Sequence, residues 1–455
     1  MSEAAPHGLR EVRDLDALVP GARPEGASAL NVLLLADDRF PAGTTRSHID
    51  ALRTYSAHRV LVFNPMVDDI RVLGGLGAFD AIVIHYSIFV FSDDYLPARA
   101  REAVAGFRGP KLQFIQDEYR HVDATAAAIR GLGVDVLFSS LRPHNLDRVY
   151  GSRLPRTHVM SNMPGYVPRS LLGRSAPPIA DRGLHVTYRN RTIPYALGRQ
   201  GRIKHDFAQG FAARAAACGL RCDISVRDAD RLYGDDWIGL VTSGKAVLGT
   251  EGGASIFDFT GEVDRRTQAF LAEHPGATFE QVHAAVLAPH EGNVVHGVLT
   301  PRLFEAMALR TGLVLLEGEY SGVIEPWRHY VPVRPDFSNW AEVEAALRDD
   351  ARLEAMAARA HAEIIASGRF SEERFAAAFD AVLGLALSGR RGAKRPAGAA
   401  RYAAARTMAT AGRTLASLAR GATGGARRAY WWARMRVPFK SRLRRVRDAF
   451  RGMHS

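Results

Sequence analysis

The sequence predicts an α/β protein made of two doubly wound parallel sheets facing a cleft, followed by a basic helical C-terminal tail. Three observations lead there. Short apolar runs alternate with helical patterns from residue 29 to 165 and again from 183 to 387, as expected for strands joined by crossover helices. Between the two runs, residues 166–182 carry Pro168, Pro177 and Pro178 in a polar stretch that reads as a linker. From residue 388 the composition turns to Ala, Arg and Gly.

Length and composition bound the alternatives. A chain of 455 residues with 47% hydrophobic and 24% charged residues has the profile of a globular protein of two or three domains, not of a disordered chain. Cys218 and Cys222 are too few for a disulfide framework and lack neighbouring His or Cys for a zinc site, so a reducing cytoplasm is expected. The amino terminus carries Glu3, Glu11, Asp14 and Asp16 and has no cationic start followed by an apolar core, which argues against a secretory signal. The longest apolar run, residues 78–91, is interrupted by Asp80 and His85 and is too short to span a bilayer. No repeat of solenoid length is visible.

Residues 1–28 read as a loosely ordered lead-in. The first half then opens with an apolar strand over 31–36, a loop holding Asp37, Asp38, Pro41 and Gly43, and a helix over 47–58. Further buried strands are expected at 59–63, 81–85, 112–116 and 134–138. Polar residues cluster just after these strands: Asp37, Asp38 and Arg46, then His85 and Tyr86, then the run Gln116-Asp117-Glu118-Tyr119-Arg120. Two acids and an arginine directly after a buried strand suit the orientation or deprotonation of a hydroxyl, so Asp117, Glu118 and His85 are the candidate catalytic groups. A surface pairing of Arg120 with Asp117 or Glu118, and a core role for His48 and His85, are the alternatives.

The second half opens with a strand over 184–188 and the loop Arg189-Asn190-Arg191-Thr192, followed by a helix over 202–218. Guanidinium forks match phosphate oxygens. Lys204 and His205 near the helix start add charge where the helix dipole already favours anions. A strand at 222–226, a helix at 230–243 and a strand at 246–249 lead into Thr250-Glu251-Gly252-Gly253-Ala254-Ser255, whose glycine pair would let backbone N–H groups approach an anionic or hydroxyl-rich ligand. Helical patterns follow at 264–273 and 279–287. In the stretch 300–325, Phe304, Met307, Ala308 and Leu309 fall at helical spacing behind Pro301, and Thr311-Gly312 ends that helix. An apolar strand over 313–316 then opens into a loop with Gly318 and Gly322. In an open α/β sheet the carboxyl ends of the strands are where ligands bind. Helices at 340–347, 353–365 and 372–387 complete this half.

Glu305-Ala306-Met307-Ala308, Gly312-Leu313-Val314-Leu315, Ser321-Gly322 and Glu325 together resemble the nucleotide-sugar motif of GT-B glycosyltransferases. The segment Leu248-Gly249-Thr250-Glu251-Gly252-Gly253-Ala254-Ser255 is similar to that of a bacterial subgroup related to CgeB-like and family 1-type members. The resemblance covers residues 188–383. It implies a GT-B fold of two Rossmann-like domains, a nucleotide-diphosphate sugar donor, and a glycan or other hydroxyl acceptor. It also implies a ribose-binding role for Glu305. Retaining members carry a second glutamate eight residues earlier; here that position is Gly297, beside His296, so the stereochemical course stays open. The donor-binding candidates are then Arg189, Arg191, Lys204, Glu251, Gly252, Gly253, Ser255, Arg302, Glu305, Ser321 and Gly322. Neither a cofactor nor a metal ion is expected: Asp93-Asp94 and Asp235-Asp236 sit near helix starts, where capping explains them, and helix dipoles with basic side chains can stabilise a leaving diphosphate. A non-catalytic nucleotide- or sugar-binding module and a sugar-nucleotide epimerase are the competing readings.

Charge is divided unevenly. Residues 388–455 hold 18 Arg or Lys against the single acid Asp448, a net of +17, while the whole chain carries +12, so the first 387 residues carry about −5. Arg406, Arg413, Arg420, Arg427 and Arg434 recur every seven residues. Beyond Tyr430-Trp431-Trp432, the residues Phe439, Leu443, Val446 and Phe450 make an apolar stripe among arginines. Aromatic anchors plus a basic face suit an anionic membrane surface, and no specific nucleic acid is expected as partner. The protein is expected in the cytoplasm, attached through this tail to the inner face of the membrane.

Overall fold

The computed structural model describes residues 8–18, 28–40, 42–388 and 397–421. The first alternation becomes six strands: β1 (Asn31–Leu35), β2 (Arg59–Phe63), β3 (Ala81–Ile84), β4 (Lys111–Ile115), β5 (Val136–Ser139) and β6 (His158–Ser161). All are parallel, in the spatial order β2-β1-β3-β4-β5-β6. β1 is buried along its whole length and sets Leu33 between Leu61 and Ile82. Continuous Val, Ile and Leu without alternation is what a sheet covered on both faces selects. The covering helices include α1 (Gly43–Tyr55), α2 (Ala98–Gly106) and α3 (Val122–Leu132), with the short α4 (Pro143–Leu146) after β5. β6 is not legible in the sequence, because its half-polar His158-Val159-Met160-Ser161 lies on the sheet edge among prolines.

The second sheet is built from β7 (Leu184–Arg189), β8 (Cys222–Ser225), β9 (Gly244–Gly249), β12 (Gly312–Leu316) and β13 (Val331–Val333), in the order β13-β12-β9-β7-β8. β13 is equally hidden, since Pro332 cannot donate to a ladder; it is tolerated because β13 is an edge strand. Between β9 and β12 a two-stranded antiparallel ribbon, β10 (Gly252–Ala254) with β11 (His296–Val298), stands outside the main sheet. The helices here are α5 (Gly198–Ala217), α6 (Gly234–Ser243), α7 (Glu262–Glu273), α8 (Phe279–Val282), α9 (Pro301–Ala308), α10 (Trp340–Arg348) and α11 (Asp350–Ala360). Asp235 and Asp236 lie inside the first turn of α6 and do not cap it, so their contribution is to the helix dipole. Asp93 pairs with Arg101 at 2.8 Å and caps no helix.

Two segments tie the sheets together. The excursion between β10 and β11 reaches the first sheet, where Asp258 N donates to Tyr119 O at 2.8 Å and Asp123 N to Phe259 O at 2.9 Å. α12 (Glu372–Ser388) crosses back onto α1: Ser56 Oγ and Ala57 N each donate to the Asp380 carboxylate at 2.6 Å.

The tail reading needs correction over its first part. α13 (Gly398–Gly421) does not hang free; it docks beside β1 and β2. Ala405 and Ala409 are buried, Tyr402 donates to Val60 O at 3.0 Å, and Arg413 pairs with the buried Asp68 at 3.0 Å and donates to Val62 O at 2.8 Å. A count of charges misses that Ala405, Ala409 and Gly412 make a smooth face; a Cβ on Gly412 would stand 2.9 Å from Val72. Trp431, Trp432 and the stripe Phe439, Leu443, Val446 and Phe450 lie outside the described residues. Among the described residues no helix is long and apolar enough to cross a membrane.

Candidate active site

The carboxyl ends of both sheets meet around one group of charged side chains. On the second-sheet side, Thr300 precedes α9 with extended backbone and Pro301 takes the first helical position, where a missing N–H costs nothing. This start sets Arg302 and Glu305 one turn apart. Glu305 is only 8% exposed, and its Oε2 accepts from the Trp237 indole on α6 at 2.7 Å. Burial raises the Glu305 pKa, while Trp237 and then Arg302 pull it back. The Arg302 guanidinium lies 5.0 Å from the Trp237 ring and donates to Arg189 O at 2.6 Å. Buried Tyr188, its hydroxyl accepting from Asn190 at 3.0 Å, is close enough to feel the Arg302 charge.

Lys204 on α5 is packed tightly enough for burial to push its pKa down to about 8; Asp117 opposes that shift, while Arg191 and Arg302 add to it. Asp117 belongs to the first sheet, directly beyond β4, and holds a left-handed backbone with φ 53°. Tyr119 donates its hydroxyl to Asp117 Oδ1 at 2.8 Å, which fixes the carboxylate. His296 on β11 completes the group. It is 3% exposed, burial lowers its pKa to about 4, Asp117 acts against this, and Lys204 and Arg142 act with it. Its Nδ1 is buried and, among the described residues, has no hydrogen-bond partner. Asp117, Lys204, Arg191, Arg302, His296 and Arg142 therefore share one electrostatic neighbourhood that spans both sheets. Separately, the loop after β7, α5 and the turn after β8 line an open pocket of about 560 Å³ with Thr192, Tyr195, Arg202, His205 and Arg227, a size that suits a small ligand. None of the six residues of that neighbourhood lines it.

Several sequence candidates are committed elsewhere. Glu118 is directed into the first sheet's core, accepting from Ser139 Oγ at 2.7 Å, from Ser140 N and Oγ at 2.9 Å, and from Tyr150. His85 is fully buried, with Nδ1 on Ser87 Oγ at 2.9 Å and Nε2 on His48 Nδ1 at 3.2 Å, and burial drives its pKa well down. Neither presents a free face to a substrate. Arg189 pairs with Asp223 at 2.7 Å and donates to the Tyr188 and Asp223 carbonyls, so its guanidinium braces β7 against β8. Gly252 and Gly253 do not offer an open backbone loop; they pair with Val298 and Gly297 in the ribbon. Glycine is required there, since Gly253 has φ 118° and a Cβ on it would lie 1.9 Å from His296 O. Ser255 Oγ accepts from Gln200 N at 3.0 Å and so serves the start of α5.

Glu251, Ser321 and Gly322 converge on one loop. Burial raises the Glu251 pKa, and its Oε1 accepts from Tyr320 N at 2.8 Å. A Cβ on Gly297 or on Gly318 would come within 2.8 or 2.9 Å of Glu251 Oε2, so the carboxylate fills the space that those glycines leave. The loop beyond β12 is wound left-handed, with φ of 45° at Tyr320, 58° at Ser321 and 69° at Gly322. Ser321 Oγ accepts from Leu299 N at 3.2 Å. Trp237, Tyr188, Arg142 and the side chain of His296 do not stand out as site residues in the sequence. Trp237 reads there as one more apolar residue on a helix, and Arg142 as a loop arginine before a proline. Tyr188 and His296 lie within strands, and only Arg142, just beyond β5, has the position of a site residue.

No family model matches the sequence, and no curated protein matches it. Among solved structures, Anabaena HepE in complex with UDP-glucose is similar over 79% of this chain and 100% of that one, at 14% identity and a TM-score of 0.45. An alpha-glucosyltransferase in complex with UDP and a 13-mer DNA is similar over 78% of this chain and 100% of that one, at 9% identity and a TM-score of 0.45.

Proposed function

We propose that the protein is a glycosyltransferase of GT-B arrangement that moves a sugar from a nucleotide-diphosphate donor to a hydroxyl of a cell-envelope glycan or other acceptor. In this reading residues 29–165 present the acceptor side and residues 183–387 hold the donor. The observation that carries it is a carboxylate, Asp117, held by Tyr119 at the end of the first sheet and close enough for its charge to act on Lys204 of the second half, on which Arg191 and Arg302 act as well. A transfer that inverts the anomeric carbon needs a base on one side of that carbon and positive charge on the other. On that course Asp117 takes the proton of the acceptor hydroxyl, that oxygen bonds to the anomeric carbon, and the bond from this carbon to the diphosphate oxygen breaks. Lys204, Arg191 and Arg302 stabilise the negative charge that leaves. Glu305, steadied by Trp237, accepts from the ribose hydroxyls.

For residues 422–455 the proposal is attachment to an anionic membrane surface, supported by the spacing of their aromatic and basic residues. A chain ending at Gly421 should fail to sediment with phosphatidylglycerol vesicles that the full chain binds.

The function is tested by a panel of nucleotide sugars, first by thermal shift, since ligand binding to the folded state raises apparent stability, then by donor turnover with and without hydroxyl acceptors. Transfer requires both substrates, epimerisation the donor alone, and a binding module shows neither. Absence of a shift with every nucleotide sugar would remove the reading.

A further inference from the structure

An ion pair joins the two halves across the cleft: the Arg142 guanidinium, between β5 and α4 of the first sheet, donates to the carboxylate of Glu319 in the left-handed loop beyond β12. The Arg142 side chain is 29% exposed and that of Glu319 75%, so the arginine sits at the edge of the site and the acid in solvent. Arg142 is also close enough for its charge to act on His296 and on Glu251, both inside the site. Glu319 is thus the exposed partner of Arg142, while His296, on which the arginine's charge also acts, is buried and has an Nδ1 without a partner among the described residues.

We propose that Arg142 is a further anion-binding residue of the donor site, supplied from the first sheet, and that Glu319 holds it in reserve until a diphosphate takes the carboxylate's place. The inference rests on the donor reading above. An exposed ion pair contributes little because water already solvates both charges, whereas a diphosphate offers charged oxygens in the geometry a guanidinium fork matches. Exchange of one anion for the other is therefore favourable. It frees the Glu319 side chain, while Glu251 continues to hold the loop through Tyr320 N. Arg142 then joins Lys204, Arg191 and Arg302 around the leaving group from the opposite sheet, and binding of the diphosphate draws the two sheets onto the same ligand.

The pair predicts effects of opposite sign. Inorganic pyrophosphate serves as the probe, because it needs no knowledge of the base or sugar, and calorimetric titration of the full chain is the measurement. Arg142→Gln should weaken pyrophosphate binding roughly ten-fold or more, the scale of a lost charge-assisted hydrogen bond. Glu319→Gln should strengthen it by about two- to five-fold, the scale of an exposed ion pair no longer competing. Arg142→Lys should fall between wild type and Arg142→Gln, and thermal unfolding without ligand should be the same for all. If Glu319→Gln weakens binding as Arg142→Gln does, or if neither changes it, the pair is a structural clasp and the inference fails while the donor reading stands. If the wild-type chain binds neither pyrophosphate nor any nucleoside diphosphate, the donor reading fails and takes the inference with it.

Discussion

The strand ends of the two sheets are both rich in polar residues but use them in opposite ways. In the first sheet Asp37, His85 and Glu118 are turned inward: Asn64 donates to Asp37 at 3.0 Å, His85 is held between Ser87 and His48, and Glu118 is enclosed by Ser139, Ser140 and Tyr150. Asp117 stands apart, turned outward by its left-handed backbone. At the ends of the second sheet, Lys204 is held with its pKa lowered to about 8, first by burial and then by the charges of Arg191 and Arg302. A buried carboxylate surrounded by hydroxyl and amide donors is structure. A buried lysine with two arginines acting on it is, under the reading proposed above, where an anion would be held.

That contrast is broken most directly at the two adjacent acids. Asp117→Asn should lower turnover by roughly 10²- to 10⁴-fold, the usual scale for a general base, with donor affinity and melting temperature little changed. Glu118→Gln should do the reverse, lowering melting temperature by disturbing a buried hydrogen-bond network while the remaining folded enzyme keeps its rate constant. Equal kinetic loss in both would show that orientation does not separate them.

Among the cations the expected effect is smaller. Arg191→Gln or Lys204→Met should each weaken a nucleoside diphosphate by about 1.5–3 kcal/mol and leave the bare nucleoside nearly unaffected, because only the former has charged oxygens. Arg189→Gln should affect both ligands alike, through its brace to Asp223. Glu305→Ala should cost about 1–3 kcal/mol in donor affinity, measured by calorimetry, and Trp237→Phe part of that, since the carboxylate would remain but lose its fixed partner.

Acid sharpens the comparison at the level of stability. His48, His85 and His296 are held neutral in the fold, with pKa values lowered to about 3, well below normal, and about 4. In the unfolded chain they take up protons near pH 6.5, so each contributes stability that is present above that pH and is lost as pH falls toward the folded values. Asp16, raised to about 7 by burial and by Asp14, acts the other way and favours the fold as pH falls from about 7 to about 4. Asp14, Glu118, Glu251, Glu305 and Glu372, also raised by burial, act with Asp16, and His158, His185 and His361, also lowered by burial, act with the first three. The readable quantity is therefore the slope of melting temperature between about pH 6.5 and pH 5 in single variants, by scanning calorimetry. His48→Gln should make that slope less positive than in the unaltered chain.

The parallel sheets were legible because buried strands leave continuous runs such as Val32-Leu33-Leu34-Leu35 and Leu313-Val314-Leu315-Leu316, and because crossover helices must lie between them. Edge strands β6 and β13 were not, since an edge admits polar residues and proline. The position of Glu305 was readable from a helix, a strand and a glycine loop in succession. The side-chain directions that separate Asp117 from Glu118, and Arg191 from Arg189, were not readable, because neighbours in sequence point apart. The partners that decide each case, Tyr150 for Glu118 and Asp223 for Arg189, lie more than thirty residues away.

The docking of α13 has a practical side. Arg413 is the cation that faces the carboxylate of Asp68, whose side chain is only 4% exposed. Cutting the chain at the apparent end of the second half, near residue 387, would strip a helix from β1 and β2, uncover the contact surface of Ala405 and Ala409, and leave Asp68 without that cation. An expression boundary chosen from composition alone would thus create an aggregation-prone protein, and a loss of activity in it would be blamed on the basic segment. Placing the boundary after Gly421 keeps the helix and removes only residues 422–455.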